Sequence, residues 1–317
     1  MGSDAIALPM LQNLWDHPPL PLDWCGVFTQ PDRPTGRGMK LRANAIKQWA
    51  LEHSIPVRQP ERCGEVDCDW LRDQEVDLAL VMAYGQILRK QLIATPRLGT
   101  LNLHASLLPE LRGASPIHTA IATGRKRTGV SLMRIVPKLD AGPVADAEGI
   151  DIPEDSQAPD LIQAMSVACV PLMRRSLPKL AAGNLQFIEQ DPDQATYCRI
   201  IHKNDSALDF ERPAIELHNR IRAFQPWPGA ALQLPDALLK IGCSRVVDSP
   251  TKPLPSGTIY FEDDSPPRIQ CGEQSLELLA LQRPGGRMLP FEEFLRGFEL
   301  KGGTVAQSLP MKDLEHR

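Results

Sequence analysis

Residues 101–121 read LNLHASLLPELRGASPIHTAI, and this stretch decides the fold. Leu101 and Leu103 alternate with Asn102 and His104, so a strand here sends its apolar side chains to one face and its polar ones to the other. The loop Ser106-Leu107-Leu108-Pro109 follows, and then Arg112-Gly113. Ser115-Pro116 next reads as a serine N-cap with proline in the first helical position, opening a helix to about Thr123. Strand, loop and helix in this order belong to an open α/β sheet, where ligands bind at the carboxyl ends of strands. Asn102 and His104 stand at such an end. The plainer reading of each alone is a strand closed by satisfied hydrogen bonds.

Upstream, residues 78–82 (LALVM) form a continuous apolar run, as expected of a parallel strand buried on both faces, and Ala83-Tyr84-Gly85 ends it. A short apolar strand falls at residues 25–28, with helices around residues 45–53 and 89–94. The first segment is a loop leading into a helix that carries Ile6, Leu8, Leu11 and Leu14, with no strand before it. Downstream come the strand TGVSLMRIV, the segment Lys138-Leu139-Asp140-Ala141-Gly142-Pro143, a strand over residues 144–152 and a helix over 159–180. Strands alternating with helices predict a Rossmann-like, mostly parallel sheet with helices on both faces.

The pattern then changes. Ala214, Leu217, His218, Ile221 and Phe224 place one apolar stripe on a helix, with Pro213 in its first turn. Beyond Gln225-Pro226-Trp227-Pro228-Gly229, the runs ALLKIGCSRVV, SGTIYF, RIQCG and SLELLALQ are short strands, followed by a helix over residues 291–298. The expected organisation is an α/β catalytic domain over residues 1–182, a linker over 183–199, and a small OB-like β-barrel over 200–317. Many of the prolines mark expected element ends, among them Pro96, Pro109, Pro153, Pro178, Pro192, Pro213 and Pro235.

A charged share of 23% and a net charge of -4 argue against a generally basic nucleic-acid binder. One local excess stands out. Between Asp32 and Lys47 the chain carries Arg33, Arg37, Lys40, Arg42 and Lys47 in a segment rich in Gly and Pro, read as a loop. Gly36-x-Gly38 lacks the third glycine and the lead into a helix that a dinucleotide fingerprint needs. The 7 cysteines are scattered without a C-x-x-C pair, which suits reduced thiols in a cytoplasmic protein. No run approaches membrane-spanning length, no export signal opens the chain, and neither a nucleophilic Ser or Cys arrangement nor metal-ligand spacing is evident.

With NLHASLLPELRGASPIHTAI and KLDAGP taken together, the sequence resembles the methionyl-tRNA formyltransferase family, within the wider 10-formyltetrahydrofolate-dependent formyltransferases. The shared marks are Asn-x-His at a strand end, the SLLP loop, RG-x-x-P at a helix start and a downstream Asp-x-Gly. Two narrower matches are VFTQPDRPTGRGMKL, similar to the family's tRNA-contacting insertion, and IRAFQPWPG before a β domain. The resemblance implies formyl transfer from 10-formyltetrahydrofolate to the α-amine of initiator methionyl-tRNA, without metal or covalent enzyme intermediate. It implies Asn102, His104 and Asp140 as the catalytic set. Ala83, Tyr84, Gly85, Ser106, Leu107, Leu108 and Pro109 would line the folate pocket, and Arg33, Arg37, Lys40 and Arg42 would grip the acceptor stem in a monomeric enzyme. The alternatives are a formyltransferase acting on a nucleotide sugar or purine precursor, and an inactive tRNA-binding protein.

The resemblance departs at the front. Family members begin with a strand ahead of a Gly-[Ser/Thr] pair, and Met1-Gly2-Ser3-Asp4 stands where that strand would end. The expectation is a translation start further upstream, with a truncated, weakened protein as the alternative.

Overall fold

Asp4 accepts the Ile6 N–H at 2.9 Å and so opens a 3-10 turn, Ala5–Ala7, that runs into helix α1 (Leu8–Asp16). Ile6, Ala7, Met10 and Leu14 are buried, while Leu8 and Leu11 lie at the margin of the core, so the buried stripe is rotated from the one read in the sequence. The computed structural model describes residues 1–35, 39–262 and 265–317.

Strand β1 (Val27–Phe28) is followed by β2 (Arg33–Thr35) and β3 (Lys40–Arg42), which pair antiparallel with Arg33 opposite Arg42. Residues 33–35 and 40–42 of the basic segment, expected as a loop, are thus paired strands, here called the hairpin, because ladder hydrogen bonds can form wherever two extended stretches face each other, whatever their charge. Asn44 caps α2 (Ala45–Glu52) by accepting the Lys47 N–H, and β4 (Val57–Arg58) then pairs parallel with β1. Helix α3 (Glu65–Asp73), β5 (Ala79–Val81), α4 (Lys90–Ala94), β6 (Thr100–His104) and β7 (Arg112–Gly113) follow. After α5 (Pro116–Ala122) come β8 (Arg127–Arg134), β9 (Val144–Asp151) and α6 (Ala158–Ala181).

The larger sheet of this part has the order β5-β6-β8-β9. Strands β5 and β6 are parallel, whereas β8 lies antiparallel to both β6 and β9. The connection from β8 to β9 is too short for a parallel crossover, so the two must run in opposite directions. Leu101, Leu103 and His104 are buried and Asn102 is half-buried, placing β6 inside the sheet. Met1 and Gly2 lie between β1 and β5: Gly2 N–H donates to Phe28 O at 2.9 Å, and Met82 N–H donates to Met1 O at 3.0 Å. A cavity of about 570 Å³ lies beside them, lined by Val27, Phe28, Leu78, Leu80 and Leu177 among others.

Pro178, expected at an element end, lies inside α6, as does Pro171. Each removes a helix hydrogen bond, yet Leu172, Met173, Leu177 and Leu180 around them are buried, and that burial holds the helix together.

The described residues divide into two compact units, one comprising residues 1–113, 127–151 and 162–196 and the other 114–126, 152–161 and 197–317. In the second, β10 (Tyr197–Cys198) pairs with β17 (Glu315–His316), and α7 (Ala214–Ala223) packs on α5. Its main sheet is antiparallel, in the order β11 (Ala230–Gln233), β12 (Leu238–Val247), β15 (Ser275–Gln282), β14 (Arg268–Gln270), β13 (Ile259–Tyr260). Strand β16 (Met288–Pro290) joins β15 and leads into α8 (Phe291–Gly297). Phe210, Leu217, Ile221, Leu232, Ile241 and Leu278 belong to one core. Sequence reading missed β11 and β16, both too short for a visible period. It also saw one stripe on α7, whereas Asn219, Arg220 and Arg222 are buried too. Arg222 is satisfied there by Asn219 Oδ1 and Ser156 O.

Candidate active site

Strand period two places Asn102 and His104 on one face at the carboxyl end of β6, with Val81 and Met133 flanking Asn102 and Ser131 opposite His104. The His104 ring is buried, and its Nε2–H donates to Leu111 O at 3.0 Å, which leaves Nδ1 free of the backbone. Nδ1 lies 3.7 Å from Asp140 Oδ2. Among the described residues no hydrogen bond engages the half-buried Asn102 amide, so its N–H groups are available to a ligand.

Asp140 reaches this position through a turn between β8 and β9. It has a left-handed backbone, with φ 45°, a conformation Asp tolerates better than most residues. Its Oδ2 accepts the Gly113 N–H at 2.9 Å, so one carboxylate oxygen both anchors β7 and faces His104. Gly142 is required two residues later, because a Cβ there would stand 1.9 Å from Arg134 O.

The SLLP loop is tied by a chain of hydroxyls. Ser106 Oγ donates to Glu110 O at 2.6 Å, Ser131 Oγ donates to Ser106 O at 2.7 Å, and Leu108 N–H donates to Ser131 Oγ at 3.0 Å. Leu107, Leu108 and Pro109 remain half-buried, and the Leu108-Pro109 peptide is cis. In the Ala83-Tyr84-Gly85 turn, Ala83 and Gly85 have positive φ, and Tyr84 is directed into the core with its hydroxyl 3.3 Å from Cys63 Sγ. Burial pushes both the Tyr84 phenol and the Cys63 thiol up from their ordinary values. Only the backbone and flanks of this turn are available to a ligand.

Sequence reasoning passed over Arg112 and Gln190. Arg112 was visible only as half of the Arg-Gly pair, yet the residue is 2% exposed and its guanidinium donates from Nε and Nη2 to Gln190 Oε1. Gln190 fell in a segment without periodicity and carried no signal.

In the hairpin Arg33, Lys40 and Arg42 are exposed, Arg33 pairs with Glu61 at 2.8 Å, and Lys47 is held by Asp32 at 2.7 Å. Arg37 lies outside the described residues. No group of three His, Cys, Asp or Glu side chains able to hold a metal occurs among the described residues, and no helix there is long and apolar enough to cross a membrane.

Two family models match the chain: formyl transferase over residues 15–172 and formyl transferase, C-terminal domain, over residues 200–299. The methionyl-tRNA formyltransferase of Methylococcus capsulatus is 40% identical over 95% of this chain and 96% of its own. That of Bacillus subtilis is 37% identical over 96% of each. The fold is similar to that of an N-formyltransferase from Helicobacter canadensis, solved with folinic acid and dTDP-3-aminofucose, with TM-score 0.63 at 17% identity over 87% of this chain and 97% of that one. Identity of 37% and 40% to such relatives over nearly the whole of each chain, on a fold that brings the Asn-x-His strand end and Asp140 together, places this chain in the methionyl-tRNA formyltransferase family.

Proposed function

We propose that the protein transfers the formyl group of 10-formyltetrahydrofolate to the α-amine of initiator methionyl-tRNA. The observation that carries this reading is the 40% identity to a methionyl-tRNA formyltransferase across both units. The neutral amine attacks the formyl carbon, a C–N bond forms, and negative charge develops on the former carbonyl oxygen. Asn102 donates its free amide N–H to that oxygen, a contact whose value is greatest as the charge appears. Loss of a proton from the attacking amine and its delivery to the departing N10 complete the exchange, and the C–N10 bond breaks. His104 Nδ1 and the Asp140 carboxylate are the groups placed to carry that proton. Ser106 to Pro109 and the backbone of the Ala83-Tyr84-Gly85 turn line the folate site.

Arg33, Arg37, Lys40 and Arg42 hold the acceptor stem through its phosphates, and the β domain adds contacts without sequence preference. Residues 1–182 serve as the catalytic domain and 200–317 as the RNA-binding domain of a monomeric cytoplasmic enzyme. The test is a formylation assay with initiator methionyl-tRNA and 10-formyltetrahydrofolate. N-formylmethionyl-tRNA is the expected product; its absence, with formylation of an amino-sugar nucleotide instead, would overturn the reading.

A further inference from the structure

We infer that Gln190 is a positioning residue for the formyl-transfer site, acting through Asp140. This rests on the function proposed above. One carboxamide makes four hydrogen bonds. Its Oε1 accepts from Arg112 Nε at 3.0 Å and Nη2 at 2.7 Å, and its Nε2 donates to Asp140 O at 2.9 Å and Gly142 O at 2.7 Å. The amide therefore joins β7, which follows the SLLP loop, to both carbonyls of the turn that presents the Asp140 carboxylate to His104.

The segment bearing Gln190 is itself fastened to the two strands that flank this turn, β8 and β9. Val144 N–H donates to Ile188 O at 2.8 Å and Ile188 N–H to Val144 O at 2.9 Å, while the Arg134 guanidinium lies over the Phe187 ring at 4.4 Å from its centroid. Thr196 completes the tie, its Oγ1 accepting the Leu111 N–H at 3.0 Å and its carbonyl the Arg112 N–H at 2.9 Å. Leu111 is the residue whose carbonyl holds His104 Nε2. A stretch with the composition of a linker thus holds both partners of the His104–Asp140 pair. The Asp140 turn needs such support, since a left-handed non-glycine residue persists only where its surroundings over-determine it.

Only a carboxamide suits the position. Glutamate would keep the Arg112 contacts but present an acceptor to two carbonyl oxygens, and alanine would remove both halves of the bridge.

Gln190→Ala, Gln190→Glu and Asp140→Asn, and the double variant Gln190→Ala with Asp140→Asn, test the inference by kinetics and by amide hydrogen exchange without substrates. The expected loss in kcat for either Gln190 variant is about 10- to 100-fold, with KM for both substrates within about 3-fold. In the Asp140→Asn background the Gln190→Ala change costs less than about 3-fold further, because its effect is routed through Asp140. Amides of residues 138–142 exchange about 10-fold faster in Gln190→Glu, while melting of the whole protein stays cooperative. Unchanged kcat, a loss confined to KM, costs that multiply in the double variant, or unchanged exchange at residues 138–142 would each overturn the inference. A wild-type protein inactive on methionyl-tRNA would instead overturn the proposed function, and the exchange result would still decide the role of Gln190.

Discussion

His104 Nδ1 stands 3.7 Å from Asp140 Oδ2, and the same oxygen accepts the Gly113 N–H at 2.9 Å. The carboxylate is therefore held by backbone as well as by its facing ring, and the ring is held from its other side by Leu111 O. Such a pair acts as a unit. His104→Ala and Asp140→Asn should each cut turnover by about 10²- to 10⁴-fold, and the double variant should lose little more than the worse single one. Single-turnover rates on preformed complexes check this, and full multiplication of the two losses would show that the residues work independently.

Asn102 is the donor left open on the same strand face. Asn102→Ala should lower kcat by about 10²- to 10³-fold while tRNA affinity, measured by filter binding, stays within about 2-fold. Wild-type turnover in this variant would remove Asn102 from the site.

Gly142 should accept no side chain. A Cβ would stand 1.9 Å from Arg134 O, backbone that cannot rotate away. Gly142→Ala should cost about 1–3 kcal/mol of stability by overpacking, and displace Asp140 as the turn yields. Denaturant unfolding reads the first effect and kcat the second; wild-type values for both would contradict the close approach.

The hairpin charges should act through affinity alone. Lys40→Ala and Arg42→Ala should each weaken tRNA binding and reduce the slope of log K against log salt by about 1, with kcat at saturating tRNA preserved. Arg37→Ala is expected to do the same. An unchanged salt slope would place the residue off the RNA.

Asp205 supplies a pH dependence of stability. Burial raises its pKa, but the paired hydrogen bonds from Arg199, the His202 N–H and the nearby Arg220 charge outweigh burial and leave it below the ordinary 3.8. A depressed folded-state pKa contributes stability in full above the unfolded value and loses it as pH falls through the folded one. Asp205→Asn should thus destabilise by on the order of 3–5 kcal/mol at pH 7, since two guanidinium groups lose their counter-charge. The gap to wild type should shrink once the pH drops below about 4. Thermal melts at pH 7, 5 and 3 measure it, and a gap that widens with acid would refute the assignment.

The local pattern was enough to read β6, β5, β8, β9 and α6, because a buried strand or a long helix writes its period into a single stretch of chain. Asn102 and His104 were visible for the same reason, as neighbours two apart on one strand. Asp140 was visible only by resemblance, since nothing local joins it to His104. Ser115 stands at the N-cap as read, yet its hydroxyl accepts the Ile201 N–H at 3.3 Å and makes no bond to the helix it precedes. Pro178 was read as an element end and lies inside α6, because the burial around it outweighs the lost hydrogen bond. The sequence by itself determined the fold class, the family and the strand end on which the site is proposed. Only the tertiary structure decided which imidazole nitrogen faces Asp140, that Tyr84 turns into the core, and that Arg112 and Gln190 brace the turn. Those facts depend on contacts between residues distant along the chain, His104 with Asp140, Cys63 with Tyr84 and Arg112 with Gln190, and a contact of that kind leaves no periodic trace in either of its partners.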